Sequence, residues 1–461
     1  MITYLKITGF KSFHNFEMEF TPLTVIAGAN ASGKSNLFDA LMLLASLAET
    51  DNLKKAFSKQ RGEFIELFTQ YNGQDYATQI EFVVEMLVNK HIKDVWGNET
   101  ELQYTRLRYE LGIKRFTNSS EIEDLALVYE RLSAIDPHQD KWRKLIPENR
   151  ERKWMGKKKG KKAYIETTLL ETGTEPVITA IGSKANKRKY SLKQAQKTIL
   201  SSVDTIDFPE ILAAKEEMKS WKFLQLNPDS LRRPTNKQHD TDIITGRGDN
   251  LAGALYRIKQ EDSHYLVEIS RKLNAFLPNF IEVRVVEDKE NAQYIIKIKD
   301  VDKREFSSRV LSEGTLQLLT LCILEYDTKH TGLLCFEEPE NGIHPFRIKD
   351  MAQLLKDLTI DFENIDMPLR QVIVNTHSPV LVGNLYTWKN DANVSIWFSQ
   401  MRTLATDIEG KRIKMSISKT APVSKENSLD MMLEFSQQEK KLTLSKVKEY
   451  LQTTHFDLIN A

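Results

Sequence analysis

Four short strings hold most of the residues that could do chemistry. They are GANASGKS at residues 28–35, LSEG at 311–314, FEEPENGIHP at 336–345 and NTHSP at 375–379. The first fits the spacing G-x-x-x-x-G-K-[ST]. Glycine lets a backbone curl so that successive N–H groups point at one anion. A helix that starts there adds unsatisfied donors and the positive end of its dipole. A phosphate chain is the ligand such a loop cradles, and Gly28, Asn30, Gly33, Lys34, Ser35 and Asn36 are the candidate contacts. Lys34 would reach the β- and γ-phosphates, and the Ser35 hydroxyl would ligate Mg2+.

The third string ends a short apolar run in two adjacent carboxylates, Glu337 and Glu338. Carboxylates this close repel, and one takes up a proton unless a cation sits nearby. Mg2+ keeps several waters and uses few protein carboxylates. Glu337 would hold one of those waters as part of the metal site. Glu338 would orient or deprotonate a water attacking the γ-phosphate. A surface acidic pair is the plain alternative. In LSEG, Ser312 can cap a helix and Gly314 permits close backbone approach. Ser312, Glu313 and Gly314 thus form a second anion site, expected to close on the γ-phosphate of a second protomer. His377 ends a strand where ligands bind in open α/β sheets, and could donate to the γ-phosphate.

These residues need particular elements to hold them. LTVIAG at residues 23–28 is a β-branched run ending in glycine, which predicts a buried strand. From Lys34 the period turns helical, with Leu37, Leu41, Leu44 and Leu47 on one face. TQIEFVVEML and LQYTRLRYEL alternate like strands, as do IEVRVVED and AQYIIKIKD. Then follow a helix from Ser312, a strand at GLLCF, a helix from about His344, a strand at QVIVNT, a helix from Ser378 and a strand at VSIWF. Alternating strands and helices predict an α/β layer with a mostly parallel sheet. Residues 116–240 are polar and Lys-rich, with basic runs at 150–162 and 184–189, and read as a largely helical insertion with loops. The expected division is 1–115 and 241–420 for the two parts of one head, 116–240 for the insertion, and 421–461 for a helical tail.

The chain has 461 residues, 65 Lys+Arg against 64 Asp+Glu, and 41% hydrophobic residues. That is enough for a large core, and a net charge of +1 makes any polyanion site a local patch. Cys322 and Cys335 both lie in apolar segments and read as buried free thiols. The longest apolar run, LMLLASLA, is far short of the ~20 residues of a membrane span. A cytoplasmic protein without a membrane partner is expected.

The order of phosphate loop, S-x-G signature, acidic strand and histidine resembles the ABC-type ATPase heads of the SMC and RecF kind. ITGFKSF at the start, GKSNLFDAL after the loop and EEPENGIHP agree with it. The resemblance covers the first hundred residues and about 240–398. It implies an α/β P-loop head, a mixed sheet with flanking helices, that binds ATP and Mg2+ and forms ATP-sandwiched dimers or larger assemblies. Lys11 stands where such heads place a basic residue near the nucleotide. Gln70, Gln74 and Gln79 are the candidates for the Q-loop glutamine. Two positions depart from the pattern: Glu337 replaces the usual aspartate, and His344 stands where many heads carry the D-loop aspartate.

The chain lacks the heptads of chromosome-organising SMC proteins. In form it looks like the stand-alone bacterial ATPases of anti-phage defence: the Septu, PARIS, retron-associated and OLD-like groups. Those usually act with a nuclease, and no nuclease motif is found in this sequence, so a separate effector is implied. A RecF-like DNA-binding repair head is the alternative. The basic runs and Trp154, which could stack on a base, speak for DNA. Solvated loops are the plain reading of those runs.

Overall fold

The computed structural model describes all residues except 73–74, 159–162, 169–175, 183–185, 193–194, 239–242, 389, 409, 424–448 and 451–461. The strands of the first half are β1 (Ile2–Thr8), β2 (Phe16–Glu19), β3 (Leu23–Ala27), β4 (Gln79–Leu87), β5 (His91–Lys93), β6 (Glu99–Glu101), β7 (Arg106–Thr117), β8 (Glu123–Ala134), β9 (Ala163–Thr168), β10 (Val177–Ile181) and β11 (Lys187–Ser191). Those of the second half are β12 (Lys222–Leu224), β13 (Thr235–Asn236), β14 (Phe280–Asp288), β15 (Gln293–Asp300), β16 (Glu305–Ser307), β17 (Gly332–Glu337), β18 (Arg370–Thr376), β19 (Val394–Ile408) and β20 (Lys411–Pro422).

Two large sheets organise the molecule. The site sheet runs β12-β17-β18-β3-β19-β20. Its first five strands are parallel and only β20 is antiparallel, so it is mixed, as expected. The second sheet runs β11-β10-β9-β8-β7-β4-β1-β2. A smaller sheet of β13, β15, β14 and β16 packs near helices 251–261 and 264–276, and β5 and β6 pair alone.

The parallel strands are buried on both faces, and residue alternation divides them between two cores. Ile26, Leu333, Cys335 and Ile373 join one core, with helix Lys34–Glu49 and the second sheet. Val25, Leu334, Phe336, Val372 and Val374 join the other, with helices Glu313–Tyr326, Ile348–Asp357 and Pro379–Tyr386. A strand that must satisfy two cores reads as a nearly continuous apolar run, which is how β3 and β17 read, as does the Val372–Val374 centre of β18. Gln371, fully buried on β18, ties the sheets together. Its Nε2 donates to Ile2 O (2.8 Å) and Thr21 O (2.9 Å), and its Oε1 accepts from Ile2 N (2.9 Å). Both cysteines are buried and free.

The α/β head stands, but the 116–240 segment is not largely helical. Its described residues include β8 to β12 alongside helices Glu148–Met155, Pro209–Lys219 and Pro228–Arg232. The reason is local. In the β7–β8 pairing Tyr129 faces Gly112 and Leu127 faces Ile113, which leaves Val128 as an extra residue. Leu125 and Leu127 are buried before this bulge, Glu130 and Leu132 after it. The period-two signal therefore changes phase mid-strand. β11, KRKYS, is exposed at every position and has no apolar face to detect. Of the expected tail, all but residues 421–423 and 449–450 lies outside the described residues, as do Gln74 and parts of both basic runs. Among the described residues no helix is long and apolar enough to cross a membrane.

Candidate nucleotide site

The phosphate loop joins β3 to helix Lys34–Glu49, as the sequence motif requires. Gly33 caps the helix with φ +86°, and Ala31 is also left-handed. A side chain at Gly28 would meet Ser399 O at 2.4 Å, and one at Gly33 would meet Ser418 Oγ at 1.7 Å. Ser399 and Ser418 belong to β19 and β20, so a distant hairpin walls the loop. Ser399 Oγ donates to Ser32 O (2.8 Å), Ser12 Oγ and Ser418 Oγ bond at 2.7 Å, and Asn36 Nδ2 donates to Ser12 Oγ (2.8 Å). Sequence reading missed this buttress, although Ile413, Met415 and Ile417 alternate with polar residues in β20.

Lys34 is buried, and its ammonium donates to the carbonyls of Gly28 (2.8 Å) and Ala29 (2.9 Å). Burial lowers its pKa, opposed by the charges of Glu338, Glu337 and Glu340. Ser35 Oγ donates to Glu337 Oε1 at 2.7 Å. The two expected metal-site residues thus bond directly, Ser35 from the helix after β3 and Glu337 from the end of β17. Asn375, opposite Glu337 in the β17–β18 pairing, adds a buried Oδ1 with no hydrogen-bond partner. Its Nδ2 lies 3.5 Å from Ser35 Oγ. A hydroxyl, a carboxylate and an orphaned amide oxygen are hard donors, and they fit a hydrated Mg2+.

Glu338 is held in the left-handed region at φ +49°, a strain of roughly 1–2 kcal/mol for a residue with a Cβ. Its N–H donates to Asn375 O (2.9 Å) and its carbonyl accepts from Asn341 N (3.1 Å). The strain turns the side chain off the strand toward the loop, where Glu338 and Asn375 line a cavity of about 250 Å³ with Asn30, Gly33, Lys34 and Ser35. His377 Nδ1 lies 2.5 Å from Glu338 Oε2, and its backbone N–H donates to the same oxygen at 3.2 Å. A third acid, Glu340, sits behind this pair. Burial pushes its carboxyl up to about 7, and the Glu338 charge adds to the rise.

Ser312 caps helix Glu313–Tyr326, with its Oγ accepting from Thr315 N (3.3 Å). Ser312 and Gly314 do not line the phosphate-loop cavity of their own chain. Glu313 instead borders a separate cavity of about 370 Å³ with Glu337 and Glu338. Gly314 packs on Gly342, so closely that a Cβ at 314 would lie 3.0 Å from the Gly342 carbonyl oxygen. Lys11 pairs with Asp39 (2.7 Å) and lines a third cavity of about 1080 Å³ beside Ser35, as does Gln70. Gln79 donates instead to Glu81 (2.7 Å). Trp154 is half-buried: its Nε1 donates to Phe362 O (2.9 Å) and its ring packs edge-on against Phe362.

Residues 23–383 match the family described as AAA domain, putative AbiEii toxin, type IV TA system. The chain belongs to this family. The family assignment agrees with a P-loop ATPase head, and the matched span contains the phosphate loop, the LSEG segment, the acidic strand end and His377. No curated protein matches the chain. Among solved structures it is similar to an SMC head bound to the C-terminal winged-helix domain of ScpA, at 15% identity and TM-score 0.46, covering 92% of this chain and 98% of that one. It is similar also to the SMC head domain from Thermotoga maritima (14%, TM-score 0.38, 92% and 99%). A third is the Smc head with an extended coiled coil, bound to the C-terminal domain of ScpA, from Pyrococcus furiosus (13%, TM-score 0.44, 97% and 99%).

Proposed function

We propose that the chain is an ATP-hydrolysing, Mg2+-dependent head that assembles as ATP-sandwiched dimers or larger rings and controls a separate effector, a nuclease, in cytoplasmic anti-phage defence. The observation that carries this reading is one phosphate-sized cavity lined by Lys34, Ser35 and Glu338, with Glu337 bonded to Ser35 and His377 to Glu338. Bound Mg2+ would neutralise charge on the phosphates. Lys34 neutralises the terminal phosphates from the loop side. Glu338, held rigidly off its strand, takes the proton of the attacking water. His377 reads the γ-phosphate and holds Glu338 in place through their contact. Ser312, Glu313 and Gly314 complete the site from a second protomer, which makes nucleotide binding select the assembled state. The family's description as a putative toxin of a type IV toxin–antitoxin system supports a two-component arrangement.

A RecF-like head that binds duplex DNA is the second reading, supported by the exposed Lys187, Arg188 and Lys189 on β11. Native mass and ATPase assays of the chain, alone and with the product of the adjacent gene, separate the two. A co-complex with slow turnover supports effector control. Turnover stimulated by duplex DNA, steeply weakened by salt and without a protein partner, supports the second reading. Glu338→Gln should bind ATP, lose about 10²-fold or more in turnover and lock the assembly. Rapid turnover by that variant removes Glu338 as the base.

A further inference from the structure

Glu340 has no place in the scheme above, yet it is one of the most constrained acids in the molecule. Its residue exposure is 7%. Its Oε1 accepts from the Thr376 hydroxyl, whose oxygen in turn accepts from Ser378 N at 2.9 Å, so that hydroxyl proton is committed to Glu340. Its Oε2 is sealed from solvent and has no donor to satisfy it. The Glu338 carboxylate is close by: oxygens of Glu338 and Glu340 and a ring nitrogen of His377 all lie within 4.8 Å of one another. Two carboxylates in contact offer only acceptors, so one buried oxygen remains unsatisfied unless a proton lies between them.

We propose that Glu340 is a positioning residue that keeps its proton and donates a hydrogen bond from Oε2 to Glu338, holding the base anionic and in one orientation. No bond to the proton is broken: Glu340 stays the donor and Glu338 the acceptor. The inference rests on the reading of Glu338 as the base. The charged and titratable groups around Glu340 are Glu338 on its own loop, His377 after β18, Lys34 at the start of its helix, and Tyr450, whose hydroxyl donates to His377 O. Burial and the Glu338 charge both favour the protonated form at neutral pH. Glutamine at 340 can copy both bonds, its oxygen accepting from Thr376 and its amide donating to Glu338.

The test compares ATP turnover of wild type, Glu340→Gln and Glu340→Ala across pH 6–9, with thermal melts to confirm folding. Wild-type turnover should fall as pH rises past neutrality and a second charge appears beside Glu338. Glu340→Gln should lose that alkaline limb, because an amide has no proton to shed. Glu340→Ala should be slower by roughly tenfold or more at every pH. The infrared difference spectrum of nucleotide-free wild type minus Glu340→Gln should show a carboxylic-acid carbonyl band from Glu340, with the bands of other buried acids such as Glu130 cancelling. An alkaline limb unchanged in Glu340→Gln, or a difference spectrum without that acid band, overturns the inference. So does Mn2+ bound to nucleotide-free wild type but not to Glu340→Gln, which would place a cation where we place the proton. A Glu338→Gln variant with normal turnover removes the base itself. A stalled Glu338→Gln beside an unchanged Glu340→Gln profile removes only the proton.

Discussion

Replacing Gly33 by alanine tests whether the phosphate loop takes its shape from the distant hairpin. The residue sits at φ +86°, where a Cβ costs roughly 1–2 kcal/mol. The added carbon would also lie 1.7 Å from Ser418 Oγ and 2.8 Å from Ser418 Cβ. Neither atom can stay, so the 2.7 Å bond between Ser12 and Ser418 breaks, at about 1 kcal/mol. Together these give about 2–3 kcal/mol against the binding-competent loop. If binding must rebuild that loop, ATP affinity falls roughly 30- to 140-fold. Titration with a fluorescent ATP analogue measures the loss. Adding Ser418→Gly removes the obstruction but not the backbone strain, so the double variant should recover part of the affinity. Wild-type affinity in Gly33→Ala, or no recovery in the double variant while the hairpin stays folded, would refute the argument.

Two further predictions concern stability. Glu130 is fully buried, its carboxylate accepting from Ile199 N (2.6 Å), Leu200 N (2.9 Å) and Tyr109 OH (3.0 Å), and burial raises its pKa from 4.5 to about 7. Between those values the native state holds a proton that the unfolded chain releases, so stability should fall as pH rises from 4.5 to 7, by on the order of 3 kcal/mol. Melts of wild type and Glu130→Gln over that range check it: the variant should show the flatter profile, and equal slopes would refute the assignment. Gln371→Ala strips three bonds from buried backbone groups and should cost at least ~2 kcal/mol in urea unfolding. A loss below ~0.5 kcal/mol would mean that water replaces the side chain.

The parallel strands and the loop between β3 and its helix were legible because each obeys one strong rule. β17 is an apolar run, β18 carries Val372–Val374 at its centre, and Gly33 and Lys34 stand at motif spacing. What escaped the sequence depends on pairings between distant segments. The phase change at Val128 is visible only once β8 is set against β7. Glu340 stands in plain view within EEPEN, but its burial behind Glu338 depends on Thr376, 36 positions away. Ser399 and Ser418 are ordinary strand serines until β20 folds back on the phosphate loop. Gln70 and Gln79 are equivalent in type, and only the cavity walls distinguish them.

The placement of β3 also bears on how the chain is made. β3 ends at Ala27, and its two neighbours are β18, which begins at Arg370, and β19, which begins at Val394. From 27 to 370 is 343 residues. At 5–20 residues per second, ribosomes need roughly 20–70 s to supply the first partner. Through that interval LTVIA, apolar but for Thr24, is a strand with both edges bare, the kind of segment that templates aggregation. The nascent protein therefore needs a holding chaperone, or temporary cover from the early antiparallel sheet, until its last fifth emerges.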